Sequence, residues 1–433
     1  MRSGAAHSGQ DGLDAGQAEA EVRSRIADRG RIPFAEFMEI ALYHPTGGYY
    51  SRPSRPSAGA SGDYFTSSAA HPAFGALMAV QAERAWDILG RPRPFHVVEM
   101  GAGEGLMAHD FVQYAHSLSP GFADALTYVA LDRGQSGALQ KLPKPPFHSV
   151  LTNGIPLKGV TGLFISNELL DALPVHRFQV RSGRVHELFV ALDESGALVE
   201  QPGEPSTPLI VERLSRLGAE LPEGFVGEVN LGIGPWMRQV SAALDRGLVI
   251  TVDYGYEARQ LYSPARDRGT LHTYFRHTQG AGPYQQIGAQ DITAHVDFTA
   301  VASEGAEVGL RSVGLLTQAE YLMSLGWSRM AEDMRGITLS SHDRDANLMA
   351  LRELVRPEDL GGFKVMVQEK GTGIGGLGDL TPSPARTEGL ATPVLGPQHA
   401  PLYAARYPSH DPDLESLWPF GAEQSEDRVR GPR

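Results

Sequence analysis

An acid and three glycines spaced two apart form the first chemical feature: Glu99, Gly101, Gly103 and Gly105 in VVEMGAGEG, residues 97–105. Backbone this bare, just past an apolar run, lets a ligand lie against the main chain. The dinucleotide fingerprint is G-x-G-x-x-G; here the third glycine comes one residue early and Leu106 stands in its place. Glu104 would also repel a pyrophosphate at the helix start, where anions ordinarily bind. S-Adenosyl-L-methionine has no phosphate, and its sulfonium and amino groups suit a glycine turn edged with acids. The expected cofactor is S-adenosyl-L-methionine. A nicotinamide-dependent oxidoreductase and a turn without ligand are the alternatives. Asp132, which ends the run LTYVALD, can hold ribose hydroxyls in either enzyme class.

The second feature is ISNELLDALPVHRF, residues 165–178. Asn167 and Glu168 follow a strand-like run, and one helical turn from there would bring Asp171 to the same face. The competing reading is that Asn167 and Asp171 only cap a helix. Methyl transfer from a cationic sulfur is an in-line displacement, so the nucleophile must be aimed and must lose a proton. Carboxylates can grip a guanidinium in a bidentate fork. Glu168 is the expected guanidinium contact and Asp171 its helper. His295 is a candidate proton acceptor or substrate contact. Asp253, ending VITVD, and Glu228, in GEVN, are candidate carboxylates on the substrate side. No zinc-protease spacing exists and cysteine is absent, so no metal is expected. Trp86 and Trp236 are expected in the core.

These residues need a sheet to position them. FHVVEMG (95–101), LTYVALD (126–132), GLFISNE (162–168) and GLVITVDYGY (247–256) are apolar runs with helical stretches between them. That rhythm predicts an α/β fold with a doubly wound, mostly parallel sheet and helices on both faces. GFKVMVQEK (362–370) reads as a closing strand. VHRFQV, RVHELFV and ALVEQ read as antiparallel strands inserted at about 175–235, and a substrate-side segment covers about 257–330. Residues 26–92 are expected to form a helical cap and 93–370 the core. The leader 1–25 and the glycine- and proline-rich tail 371–433 are expected to be disordered.

The 433 residues carry a net charge of −13, which disfavours phosphate-mediated nucleic-acid binding. No run of roughly 18 apolar residues is present, so no membrane span is expected. The leader lacks both an apolar secretory segment and the arginine-rich, acid-poor character of a transit peptide. With no cysteine, the expected location is cytoplasmic. A homodimer is compatible with the insertions beside the cleft.

In order along the chain, ALYHPTGGYYS, GDYFTSS, EMGAGEG, ISNELLDALPVHRF, VITVDYGY, GTLHTYFRH and DITAHVDF together resemble the MidA-like S-adenosylmethionine-dependent methyltransferases, over about residues 30–370. The family includes a mitochondrial branch that methylates arginine. The resemblance implies a class I methyltransferase core in which Gly101, Gly103 and Gly105 face the cofactor, with Asn167 and Glu168 beside it. It implies that Gly62, Asp63 and Thr66 close over the cofactor. Asp291, Thr293, His295 and Asp297 would line the substrate cleft. LDRGQSG departs from the usual turn after the second strand, though Asp132 keeps the acid. The expected activity is methylation of a protein side chain, arginine foremost, with a non-catalytic assembly protein on the same fold as the alternative.

Overall fold

Apolar residues on both faces make the central strands. A computed structural model describes residues 4–51, 66–133, 147–216, 221–275, 278–279, 282–396 and 399. The chain opens with α1 (Gly4–Arg29), β1 (Arg31–Pro33), α2 (Phe34–Tyr43), α3 (Ser67–Ala70) and α4 (Ala73–Ile88). Then come β2 (Phe95–Met100), α5 (Leu106–Ala115), α6 (Phe122–Ala125), β3 (Leu126–Asp132), β4 (Phe147–Leu151) and β5 (Val160–Asn167). An excursion through β6 (His176–Arg181), β7 (Arg184–Leu192), β8 (Leu198–Gly203), α7 (Pro208–Ser215) and β9 (Val226–Val229) returns by α8 (Ile233–Ala243) to β10 (Leu244–Asp253). Short elements follow: β11 (Gly255–Tyr256), α9 (Ala258–Leu261), β12 (His272–Phe275), β13 (Thr278–Gln279), β14 (Asp291–Thr293) and β15 (Val296–Asp297). The last are α10 (Phe298–Glu307), β16 (Arg311–Thr317), α11 (Gln318–Leu325), α12 (Trp327–Met334), α13 (Ser341–Glu353), β17 (Lys364–Lys370) and α14 (Pro384–Glu388).

The central sheet has seven strands in the order β16-β17-β10-β5-β2-β3-β4. The five from β10 to β4 run parallel, and β17 and β16 close one side antiparallel. This is the α/β, mostly parallel architecture expected. One face buries the helix layer of α4, α5, α11 and α12, with Phe74, Phe111 and Trp327 fully enclosed. The other buries α8 and α10 through Met237, Val240 and Phe298. From β2 the chain winds outward through β3 to β4, then crosses back to β5 and β10. The crevice at the carboxyl ends of β2 and β5 is therefore the topological switch point, where sheets of this kind bind ligands.

A second sheet, β1-β7-β6-β9 with β8 beside β7, joins the N-terminus to the insertion. Ile32 pairs with Val190, and α2 buries Phe34, Phe37 and Met38 against this unit. Each such side chain is worth about 1.5–3 kcal/mol on full burial.

Three expectations need correcting. The leader is helical from Gly4, and Ala18, Val22 and Ile26, spaced four apart, bury one face of α1 against α2. Residues 26–92 do not form one helical cap: β1 is a strand of the inserted sheet, and α4 belongs to the main core. The segment after Gly371 is ordered through residue 396 and lies across the helix layer. Ile374, Leu380 and Leu390 enter the core, and the Tyr114 hydroxyl donates to the Ala391 carbonyl at 2.7 Å. Its composition resembles disorder because a few anchors do the work of a continuous apolar face.

The strongest anchor is Arg386, whose guanidinium forks onto Glu83 at 2.7 and 2.9 Å. Glu83 is buried, so the carboxylate end of the pair is shielded from water. Arg386→Ala is expected to lower unfolding free energy by about 1.5–3 kcal/mol in urea melts, because a buried carboxylate loses a charged donor. An unchanged midpoint would show that the segment is only laid on the surface.

Candidate active site

At the tip of β2 the chain must turn sharply to enter α5. Gly101, Gly103 and Gly105 all take left-handed φ values, +71°, +55° and +76°. Only glycine adopts that conformation freely, and three in five residues leave a backbone with no side chains on the turn. The Gly103 N–H donates to Asp132 Oδ2 at 2.7 Å, which ties the loop to the end of β3. A Cβ on Gly101 would stand 2.9 Å from Leu169 Cδ1. The loop and the turn after β5 thus pack together and both line a cavity of about 380 Å³.

The cavity wall includes Gly101, Gly103, Asp132, Asn167 and Glu168, together with Glu99 and Thr66. Thr66 also caps α3 by accepting from the Ala69 N–H. Gly62, Asp63 and the rest of the 52–65 loop lie outside the described residues. Gly105 is not on the wall; it starts α5.

Glu99 is buried and accepts from the Tyr128 hydroxyl at 2.8 Å. Burial pushes its carboxyl up to about 8, with the Asp132 charge adding and the Tyr128 hydrogen bond opposing. The folded protein therefore holds a proton that the unfolded chain releases near 4.5. The stability this group contributes is complete below about pH 4.5 and lost as pH rises through about 8. Ligand-free Glu99→Gln is expected to melt above the wild type at about pH 9 and level with it at about pH 4. Parallel melting curves across that range would refute the assignment.

After β5 there is no helical turn, contrary to expectation. Glu168 has φ +51°, rare for a residue with a side chain and a mark of backbone held under strain. Asp253, fully buried at the end of β10, holds the turn. Its Oδ2 accepts the N–H groups of Leu169, Leu170 and Asp171 at 3.2, 2.9 and 3.3 Å. Asp253 thus acts from beneath the turn and is not on the cavity wall, as a substrate contact would be. Glu168 Oε1 accepts from the Ser67 N–H at 3.2 Å and from Asn167 Nδ2 at 3.0 Å. The Tyr254 hydroxyl donates to Asp171 Oδ2. Burial and the nearby Asp171 charge push Glu168 up to about 8, against the two hydrogen bonds it accepts. Burial pushes Asp171 up to about 6, opposed by Tyr254. Asp253 is also raised, by burial and then by its two acidic neighbours.

The remaining sequence candidates divide. Asp291 is buried and accepts from the Tyr50 hydroxyl at 2.8 Å, and Tyr50 lines the cavity. Thr293 is buried on β14. His295 stands among aromatic rings beside Tyr254, off the cavity wall. Two expectations of substrate contact meet other uses. Asp297 caps α10, accepting from the Ala300 N–H at 3.1 Å. Glu228 takes the Arg177 guanidinium at 3.3 Å and the Thr270 N–H at 2.7 Å, bracing the inserted sheet against the next segment. Trp236, expected only in the core, also borders the cavity.

Sequence reasoning missed several wall residues. Tyr43 and Tyr50 stack at 5.5 Å, and the Arg133 guanidinium lies 4.5 Å over Tyr43. Thr152, Asn153 and Gly154 follow β4, a strand not recognised in the sequence. The aromatics of YHPTGGYYS, residues 43–51, were the available signal. Among the described residues no group of three acids or histidines could hold a metal ion, and no helix is long and apolar enough to cross a membrane.

These residues fit S-adenosyl-L-methionine. The glycine turn presents bare backbone, the acids Glu99 and Glu168 are raised chiefly by burial, and Asn167 Oδ1 is buried without a partner. A family model described as "Putative S-adenosyl-L-methionine-dependent methyltransferase" matches residues 77–316. Among curated proteins the chain is similar to the "Protein arginine methyltransferase NDUFAF7 homolog, mitochondrial" of Drosophila melanogaster. The two are 27% identical over 319 residues, 66% of this chain and 69% of that protein. The "Protein arginine methyltransferase NDUFAF7, mitochondrial" of Danio rerio is 26% identical over 377 residues, 78% and 83% of the two chains. Among solved structures, a Burkholderia thailandensis protein bound to S-adenosyl-homocysteine is similar with a TM-score of 0.74 and 27% identity, covering 88% of this chain and 97% of that one. A native structure from the same species gives a TM-score of 0.72 and 28% identity, with the same coverage.

Proposed function

The chain belongs to the S-adenosyl-L-methionine-dependent methyltransferase family whose model spans residues 77–316, and on that premise we propose that it methylates arginine in a protein substrate. The cofactor is S-adenosyl-L-methionine, which when bound supplies a methyl group on a cationic sulfur. The glycine turn, Asp132 and Asn167 would hold it.

One observation carries the arginine reading. Glu168, half-buried on the cavity wall, and Asp171, buried behind it, stand together at the switch point, and among the described residues no Lys or Arg pairs with either. Their partners are neutral: Ser67 and Asn167 for Glu168, Tyr254 for Asp171. Two such carboxylates are costly unless a cation joins them. A guanidinium matches them in charge and in its fork of donors. Asp253 fixes the turn, so the pair is held in place before any ligand arrives. Glu168, raised by burial, can take the proton that a substrate N–H gives up. The names of the fly and fish relatives support the same substrate class. A cytoplasmic location and a homodimer stay part of the proposal; those relatives are named mitochondrial.

The test compares arginine-methylated peptides by mass spectrometry in cells with and without the gene. At least one arginine mark is expected to disappear and to return with the wild-type gene but not with Glu168→Gln. If every arginine mark survives the deletion, the substrate reading is wrong.

A further inference from the structure

Outside the cofactor cavity, five half-buried rings form a connected column. Tyr254, whose hydroxyl donates to Asp171, meets the His295 ring edge-on at 5.3 Å and 80°. His295 lies 5.4 Å from Tyr256 and stacks on His272 at 5.6 Å and 29°. His272 in turn stacks with Tyr274 at 6.3 Å and 27°.

The local backbone explains the grouping. In β12, His272 and Tyr274 alternate onto one face, opposite Thr293 and Asp291 of β14. In β11, Gly255 pairs with Val296, and a Cβ there would stand 2.2 Å from the Val296 carbonyl oxygen. That close approach sets Tyr254 and Tyr256 on either side of His295.

The column ends on buried acids. All five rings are half-buried, whereas Asp171 and Asp291 at its inner end are 4% and 2% exposed. Burial, followed by the Asp291, Asp171 and Glu168 charges, raises the Tyr274 hydroxyl, so the carboxylates face it. Burial, with His272 and Arg266 adding, lowers His295 to about 4, and burial lowers His272. Both imidazoles are therefore neutral at neutral pH and present π faces without opposing a cation. Other charges border the column: Glu228 beside His272 and Arg266 at the outer end. Arg266 already shows what the surface accepts, with its guanidinium 3.6 Å over the Tyr256 ring. His295 Nδ1 is buried without a hydrogen-bond partner.

We infer that this aromatic column is the entrance for the substrate's cationic side chain, which passes over the rings of Tyr256, His295 and Tyr254 to reach Asp171 and Glu168. Aromatic faces attract the guanidinium along the way, and the two carboxylates complement its charge at the end. This rests on the arginine reading above and extends it: the cofactor and the protein substrate occupy separate openings, and residues remote from the cavity set substrate affinity.

The test uses full-length protein with [13Cε1]-histidine, saturated with S-adenosyl-homocysteine and titrated with Nα-acetyl-L-arginine methylamide. The citrulline analogue, equal in shape and uncharged, is the control. The His272 and His295 signals, assigned with His272→Gln and His295→Gln, are expected to move saturably with the arginine probe and not with citrulline. Tyr256→Leu, on an outer ring, is expected to weaken the arginine probe about tenfold with S-adenosyl-homocysteine affinity unchanged by calorimetry. Signals that stay fixed with both probes, or move equally with both, overturn the entrance. If the signals respond to arginine while every arginine mark survives gene deletion, the cationic entrance stands and the arginine substrate reading falls.

Discussion

Glu168→Gln is expected to lower kcat by about 100- to 10,000-fold, the range general acid–base groups supply. Gln keeps the size of the side chain and an oxygen that can accept from Ser67 and Asn167. What it loses is the negative charge and the ability to take a proton. Glu168 also lines the cofactor cavity, so S-adenosyl-homocysteine affinity is measured alongside: a change of no more than about threefold, under 1 kcal/mol, leaves the loss in the chemical step. The pH profile follows from the direction of the shifts. Acids raised to about 8 and about 6 are neutral below those values and charged above them. Wild-type kcat/KM should therefore climb with pH from about 6 to about 8 and then level off. Loss of the upper limb in Glu168→Gln would assign it. A variant keeping more than about a third of wild-type kcat would remove Glu168 from the chemistry.

Gly101→Val should abolish most cofactor binding. Gly101 sits at φ +71°, where an L side chain costs about 1–2 kcal/mol and a β-branched one more. The new Cβ also meets Leu169 Cδ1 at 2.9 Å, so the side chain must push into the turn that carries Glu168 or into the cavity. A loss of about tenfold or more in S-adenosyl-homocysteine affinity by calorimetry is expected. Gly196→Val is the control: it takes the same kind of φ, +80°, in a hairpin of the inserted sheet with nothing within 4 Å of a Cβ. Its affinity should match the wild type. Equal losses in both variants would mean that general destabilisation, and not the cavity, is being measured.

Much of this protein was legible because its central strands are buried on both faces. β2, β3, β5 and β10 read as continuous apolar runs, and that signal is local. β4 and β16 escaped notice: they lie at the sheet's edges, partly exposed, and their sequences are correspondingly mixed. The same contrast holds for side chains. A carboxylate that caps a helix and one that lines a cleft are the same residue type in a sequence, so Asp297 and Glu228 looked like cleft acids until their partners Ala300, Arg177 and Thr270 were placed.

By itself, the sequence determined the parallel sheet, the glycine turn at its edge and the acids Glu99, Asp132 and Glu168 beside that turn, because strand burial and left-handed turns are properties of short segments. Only the tertiary structure decided how the acids act. It put Asp253 under the turn, Tyr254 on Asp171 and the Tyr43–Tyr50 pair over the cavity. It also drew the C-terminal segment across the helix layer to join Arg386 to Glu83. Those contacts join residues tens to hundreds of positions apart, and no local pattern records which distant partner a buried polar group will find.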